Sequence, residues 1–106
     1  MTVLKRTPTY DLNSIKEAFD CPENLVMTSS AKRGQIELDL SDHDVVSAIQ
    51  ALTTKDFYKS MPPVHENFVA WQDVYKTFFN GVDLYIKFQV NANRELIVSF
   101  KEKWYD

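Results

Sequence analysis

Cysteine, glycine and proline are scarce in this chain, and each shortage removes a class of protein. Among 106 residues there is one cysteine, with two glycines and four prolines. The lone thiol, Cys21, cannot form an internal disulfide, and no Cys/His cluster has zinc-ligand spacing. Neither His43 nor His65 is tied to Cys21 by a nucleophile motif, so Cys21 reads as a structural thiol. With so little glycine and proline, no low-complexity tract and no repeat of solenoid period, there is no evident linker, and residues 1–106 are expected to form one domain. No apolar run approaches a membrane span. The opening MTVLKRTPTYD turns polar too soon to supply the apolar core of a signal peptide, so a cytoplasmic protein without membrane contact is expected.

A basic excess is missing too. The formal net charge is -3, which argues against a strong, diffuse nucleic-acid binder. The charge is unevenly placed, however. Residues 1–54 hold 5 Lys and Arg against 8 Asp and Glu, whereas residues 55–106 hold 7 of each. Positive groups of the second half could therefore gather on one face while the acidic first half stays away from a polyanion.

What the chain does have is a change of hydrophobic period. Leu12, Ile15, Ala18 and Phe19 follow helical spacing after Asp11, a natural N-cap, with Pro22 just beyond the end. Residues 25–28 suggest a short strand and 29–34 a loop or frayed turn. A second helix is capped by Ser41 and buries Val45, Val46, Ala48, Ile49 and Leu52. The acids at 37, 39, 42 and 44 read as a solvated helix start, since Asp42 and Asp44 suit the positive end of a helix dipole and no metal-ligand set converges there.

From residue 55 the period becomes two, with candidate strands at about 56–61, 68–78, 82–90 and 95–103. Asn80-Gly81 signals a two-residue hairpin loop, and residues 91–93 the next turn. The expected fold is α+β: N-terminal helices packed on one face of a C-terminal antiparallel sheet. A two-residue first loop pairs Phe79 with Val82, Lys76 with Tyr85 and Gln72 with Gln89. A three-residue second loop pairs Val90 with Arg94 and Tyr85 with Ser99. One face then carries Gln72, Val74, Lys76, Tyr85, Lys87, Gln89, Ile97, Ser99, Lys101 and Lys103, and the other Trp71, Leu84, Ile86, Phe88, Val90, Leu96, Val98 and Phe100.

Four segments go beyond patterning: KRTP at 5–8, DFYKSM at 56–61, WQDVY at 71–75 and LIVSFKEK at 96–103. In this order and at nearly this spacing they resemble the MqsR family of toxins from bacterial toxin-antitoxin pairs. The resemblance implies a RelE-like fold and a metal-independent endoribonuclease without cofactor, cutting single-stranded mRNA independently of the ribosome at a short GC-containing site. Carried over motif by motif, it implies catalytic roles for Lys59, Gln72, Tyr85 and Lys101. Lysines would stabilise charge at the phosphate, the tyrosine would move a proton, and the glutamine would orient phosphate or ribose.

Tyr58 and Met61 could pack against a base, and Lys76 stands where the family has an arginine, keeping the charge without the bidentate fork. His65 would be a loop residue and the spare acid-base candidate. The implied partner is an MqsA-like antitoxin, zinc-binding and carrying a helix-turn-helix, through which alone DNA would be reached. The competing reading is a non-catalytic module of the same fold that binds an antitoxin or other regulator.

Overall fold

The structure is a computed structural model that describes residues 6–62, 71–90 and 96–102, with Val90 and residues 96–102 defined by their backbone. Helix α1 spans Leu12–Ala18, and its Asp11 cap accepts a hydrogen bond from the Ser14 amide at 3.0 Å. A 3-10 turn at Pro22–Asn24 follows. Two further helices come next, α2 over Ser29–Glu37 and α3 over Asp42–Gln50.

Helix α2 corrects the expectation of a strand at 25–28 and a loop at 29–34. Met27 alone there makes an isolated bridge, and Thr28 is an N-cap whose hydroxyl accepts from the Ala31 amide at 3.0 Å. The helix buries only Ala31 and Gln35, so its apolar stripe is too thin to register as helical periodicity. It closes with Asp39 at φ 57, and the Leu40 amide donates back to Gln35 O at 3.0 Å in a Schellman arrangement.

The second expected helix, α3, is present with a reciprocal capping box between Ser41 and Asp44. Asp42 accepts from Lys32 Nζ and Gln35 Nε2, both at 2.8 Å, which ties α2 to α3. Of the four acids expected to form a solvated helix start, only Asp42 and Asp44 lie in the first turn of α3; Glu37 and Asp39 instead stand at the end of α2, a helix the sequence pattern did not reveal.

Four antiparallel strands in the order β1-β2-β3-β4 make up the sheet: Phe57–Met61, Gln72–Phe79, Val82–Val90 and Leu96–Glu102. The β2–β3 hairpin has the expected register, with Phe79 opposite Val82 and Lys76 opposite Tyr85. Asn80 at φ 51 and Gly81 at φ 80 adopt the positive backbone angles that a type I′ loop demands.

The β3–β4 register differs from expectation by two residues. Val90 pairs with Leu96 rather than Arg94, and Tyr85 with Lys101 rather than Ser99. Each register makes three apolar pairs on the inner face and leaves one apolar residue opposite a charged one, Val90 opposite Arg94 in the expected register and Leu84 opposite Glu102 in the observed one, so the side-chain pattern does not choose between them; the length of the connection does. Because the shift is even, no residue changes face.

Helices cover one face of the sheet. Ile15, Phe19, Val45, Ala48, Ile49 and Leu52 form a single core with Tyr75, Leu84, Ile86 and Phe88. The Phe88 ring stacks on Phe19 at 6.2 Å and meets Tyr75 edge-on at 5.8 Å, while α2 lies along β4. Asp73 is fully buried among these apolar neighbours. Its carboxylate accepts from the amides of Thr9 and Tyr10 at 3.0 and 2.8 Å and from Ser60 Oγ at 2.6 Å. One carboxylate thus joins the segment before α1, β1 and β2. Tyr10 Oη adds a second tie, donating to Trp71 O at 2.7 Å.

Candidate active site on the open face of the sheet

Every strand residue singled out from the sequence and described here occupies the face away from the helices. A bulge in β1 makes this possible. Phe57 pairs with Tyr75, but the register then slips so that Lys59 stands opposite Val74, Ser60 opposite Asp73 and Met61 opposite Gln72. Phe57 and Ser60 therefore turn to the core side, while Tyr58 and Lys59 are both brought to the open side beside Val74. In a regular strand Lys59 would share the face of Phe57 beneath the helices, where an unpaired ammonium is prohibitive. That conflict, FYKSM placing an apolar ring and a lysine two residues apart, was the available sequence signal for the bulge.

The result is a compact aromatic and cationic cluster. The Tyr58 and Tyr85 rings stack with centroids 6.1 Å apart and planes 23° from parallel. Lys76 Nζ sits 3.6 Å from the Tyr58 centroid and 5.5 Å from that of Tyr85, and Lys59 Nζ lies 4.9 Å from the Tyr58 ring. These ammonium groups are held over the negative faces of the rings, and among the described residues neither pairs with a carboxylate. Tyr85 is 7% exposed and Tyr58 42%, so one ring forms the floor and the other the wall. The backbone of Lys101 is directly opposite Tyr85, in the place expected for Ser99 from the sequence.

Gln72 is set apart from this cluster. It lies across from Met61, and its Nε2 donates to Gln89 Oε1 at 2.7 Å. Four residues along β2 separate it from Lys76, roughly 13 Å at ordinary strand rise. Gln72 and Met61 therefore form a neighbouring station on the same face.

Charge is sorted by layer. The described open-face positions of the strands carry Lys59, Lys76 and Lys87 against the single acid Asp83, which pairs with Phe78 at the hairpin end. The ion pair Lys32–Asp42 belongs to the helical layer. An acidic protein thus presents a positive patch.

Other titratable groups lie off this face. Tyr75, buried on the core side beside Asp73, has its phenol pushed up to about 12, first by burial and then by the nearby carboxylates Asp73 and Asp11. The Cys21 thiol is raised above its usual value by its hydrogen bond to Glu23, by desolvation and by Asp20, so it is a weaker nucleophile than an ordinary cysteine. His43 sits exposed on α3, and His65 lies outside the described residues.

Comparison with known proteins accords with this geometry. The family model described as "Motility quorum-sensing regulator, toxin of MqsA" matches residues 7–102. The chain belongs to the MqsR toxin family. A member of known name, the mRNA interferase toxin MqsR of Escherichia coli (strain K12), is 36% identical over 99 residues, covering 93% of this chain and 98% of that protein. The MqsR match takes in β1 to β4 and with them Lys59, Gln72, Tyr85 and Lys101.

Proposed function

We propose that this chain is a metal-independent endoribonuclease, the toxin of a toxin-antitoxin pair, which cuts single-stranded mRNA on the open face of its sheet without the ribosome. The observation that carries the reading is the convergence of Tyr58, Lys59, Lys76 and Tyr85 in one cluster, with Lys101 opposite Tyr85 in register. A relative that shares 36% of its residues is named an mRNA interferase. Among the described residues no group of three or more His, Cys, Asp and Glu could hold a metal ion, and the proposed chemistry needs none.

In that chemistry the 2′-oxygen of the RNA attacks the adjacent phosphorus in line as the bond to the 5′-oxygen breaks. The products are a 2′,3′-cyclic phosphate and a 5′-hydroxyl. A proton leaves the 2′-hydroxyl and another reaches the departing oxygen. Tyr85 is assigned to proton transfer, and Lys59 and Lys101 to the charge that grows on the non-bridging oxygens. Lys76 holds a flanking phosphate and Tyr58 offers an aromatic face to a base. Gln72, with Met61 beside it, contacts the ribose or base one or two nucleotides along, in keeping with its distance from the cluster. Recognition of a short GC-containing site falls to such flanking contacts.

The partner is an MqsA-like antitoxin with a zinc-binding part and a helix-turn-helix part, in line with the family's description as toxin of MqsA. Such a pair acts in the cytoplasm, and DNA is reached through the antitoxin.

Cleavage of a synthetic RNA in EDTA tests the proposal. Wild type is expected to release cyclic-phosphate ends, and Lys59→Ala, Lys101→Ala and Tyr85→Phe each to lose about 100-fold or more in rate while remaining folded. If EDTA abolishes cutting, or all three variants cut like wild type, the mechanism is wrong. A folded wild type that binds its antitoxin and leaves RNA intact is instead the non-catalytic module.

A further inference from the structure

We infer that Phe78 and Asp83, at the hairpin end of the open face, form a nucleobase subsite that extends the RNA track beyond the Tyr58–Tyr85 cluster. The inference rests on the ribonuclease reading and adds a contact to it. Phe78 is 69% exposed, while its neighbour Phe79 turns to the core side. The two-residue Asn80-Gly81 loop pins the register so that Phe78 must stand on the face of Lys76, one pleat repeat or about 7 Å farther along β2. An open aromatic face next to a row of lysines is the arrangement that binds single-stranded nucleic acid, with cations on the phosphates and a ring under a base.

Asp83 refines the polarity of this station. It is exposed and pairs with Phe78 across the hairpin, as the one acid among the described open-face strand positions. A carboxylate there repels phosphate and accepts hydrogen bonds only, so the backbone keeps to the lysine side and a base edge with an amino group is favoured over the carbonyl O4 of uracil. A protein occupant of the same patch is the competing source of contact, and it predicts no response to a missing base.

The test combines variants of Phe78 with RNA oligonucleotides carrying one abasic position at a time on either side of the cut. Affinity is read on uncleavable strands with 2′-deoxy at the cut site, and cleavage on all-ribose strands. Phe78→Ala is expected to weaken binding of the intact strand about tenfold to hundredfold, Phe78→Trp to restore it, and one abasic position to produce the same loss in wild type but no further loss in Phe78→Ala.

Equal affinity of wild type and Phe78→Ala, or additive losses at every abasic position, would overturn the subsite. So would a loss confined to antitoxin binding. Because binding is read without cleavage, wild type that binds the deoxy strand in a Phe78-dependent way but never cuts RNA refutes the ribonuclease reading alone.

Discussion

Replacing Asp73 with alanine should be among the most damaging single changes on the sheet, although the residue lies on the face away from the proposed chemistry. Its fully buried carboxylate satisfies the amides of Thr9 and Tyr10 and the hydroxyl of Ser60. Removing it orphans three donors, each costing about 1–3 kcal/mol when left unmatched. The upper bound is not reached, because Thr9 is exposed enough for water to reach its amide and Ser60 Oγ keeps Thr9 Oγ1 as a partner at 2.9 Å.

The expected loss for Asp73→Ala is therefore about 3 kcal/mol, a large fraction of the 5–15 kcal/mol that holds a domain of this size. Urea unfolding should show a lower midpoint at unchanged slope, and the melting temperature should fall by roughly 15 °C. Ser60→Ala, which removes a single donor, should cost only about 1 kcal/mol. Since Ser60 is the first paired core-side residue after the bulge, both variants should also loosen Lys59, seen as a fall in RNA cleavage measured well below the melting transition. A loss under about 1 kcal/mol for Asp73→Ala would mean that the carboxylate's desolvation already cancels its hydrogen bonds, and the account of it as the clamp between the N-terminal segment and the sheet would be refuted.

Three further outcomes follow from the same geometry. With Lys59, Lys76 and Lys87 on the open face and Lys101 opposite Tyr85, binding of an uncleavable RNA strand should weaken with salt at a log–log slope of about -3; a slope near zero would remove phosphate contact from the picture. Tyr75 ionises in the fold only at about 12, against 10 for the free phenol, so its contribution to stability is complete below pH 10 and disappears as pH rises from 10 through 12; ultraviolet titration should show a late phenolate step that Tyr75→Phe removes. Gly81→Ala meets no atom within 4 Å but forces a side chain to φ +80, so a cost of about 1–2 kcal/mol in thermal unfolding, without loss of the hairpin pairing seen by NMR, is the expected result.

How much of this was legible beforehand differs from element to element. Capping residues and helical stripes announced α1 and α3, because Asp11 and Ser41 act on amides three residues away and the information is local. The thin stripe of α2 was not readable, since a helix that buries only Ala31 and Gln35 owes its place to α3 and β4 rather than to its own pattern. Asn80-Gly81 dictated the β2–β3 register through backbone angles that few other dipeptides adopt, and with it the common face of Gln72, Lys76 and Tyr85. The four functional candidates themselves were legible only through their motifs, because lysines and tyrosines on strands are otherwise unremarkable.

Tertiary structure alone decided which of those candidates meet. The bulge at Tyr58–Lys59 exists because Phe57 must be buried while Lys59 must not, a conflict resolved only when the helices define an inside. The two-residue offset between β3 and β4, which sets Lys101 against Tyr85, depends on the length of a connection whose residues carry no turn signal strong enough to impose it. Local backbone preference and the alternation of side chains settle which face a residue belongs to; long-range pairing, where shifts of two cost nothing in pattern, settles who its neighbours are.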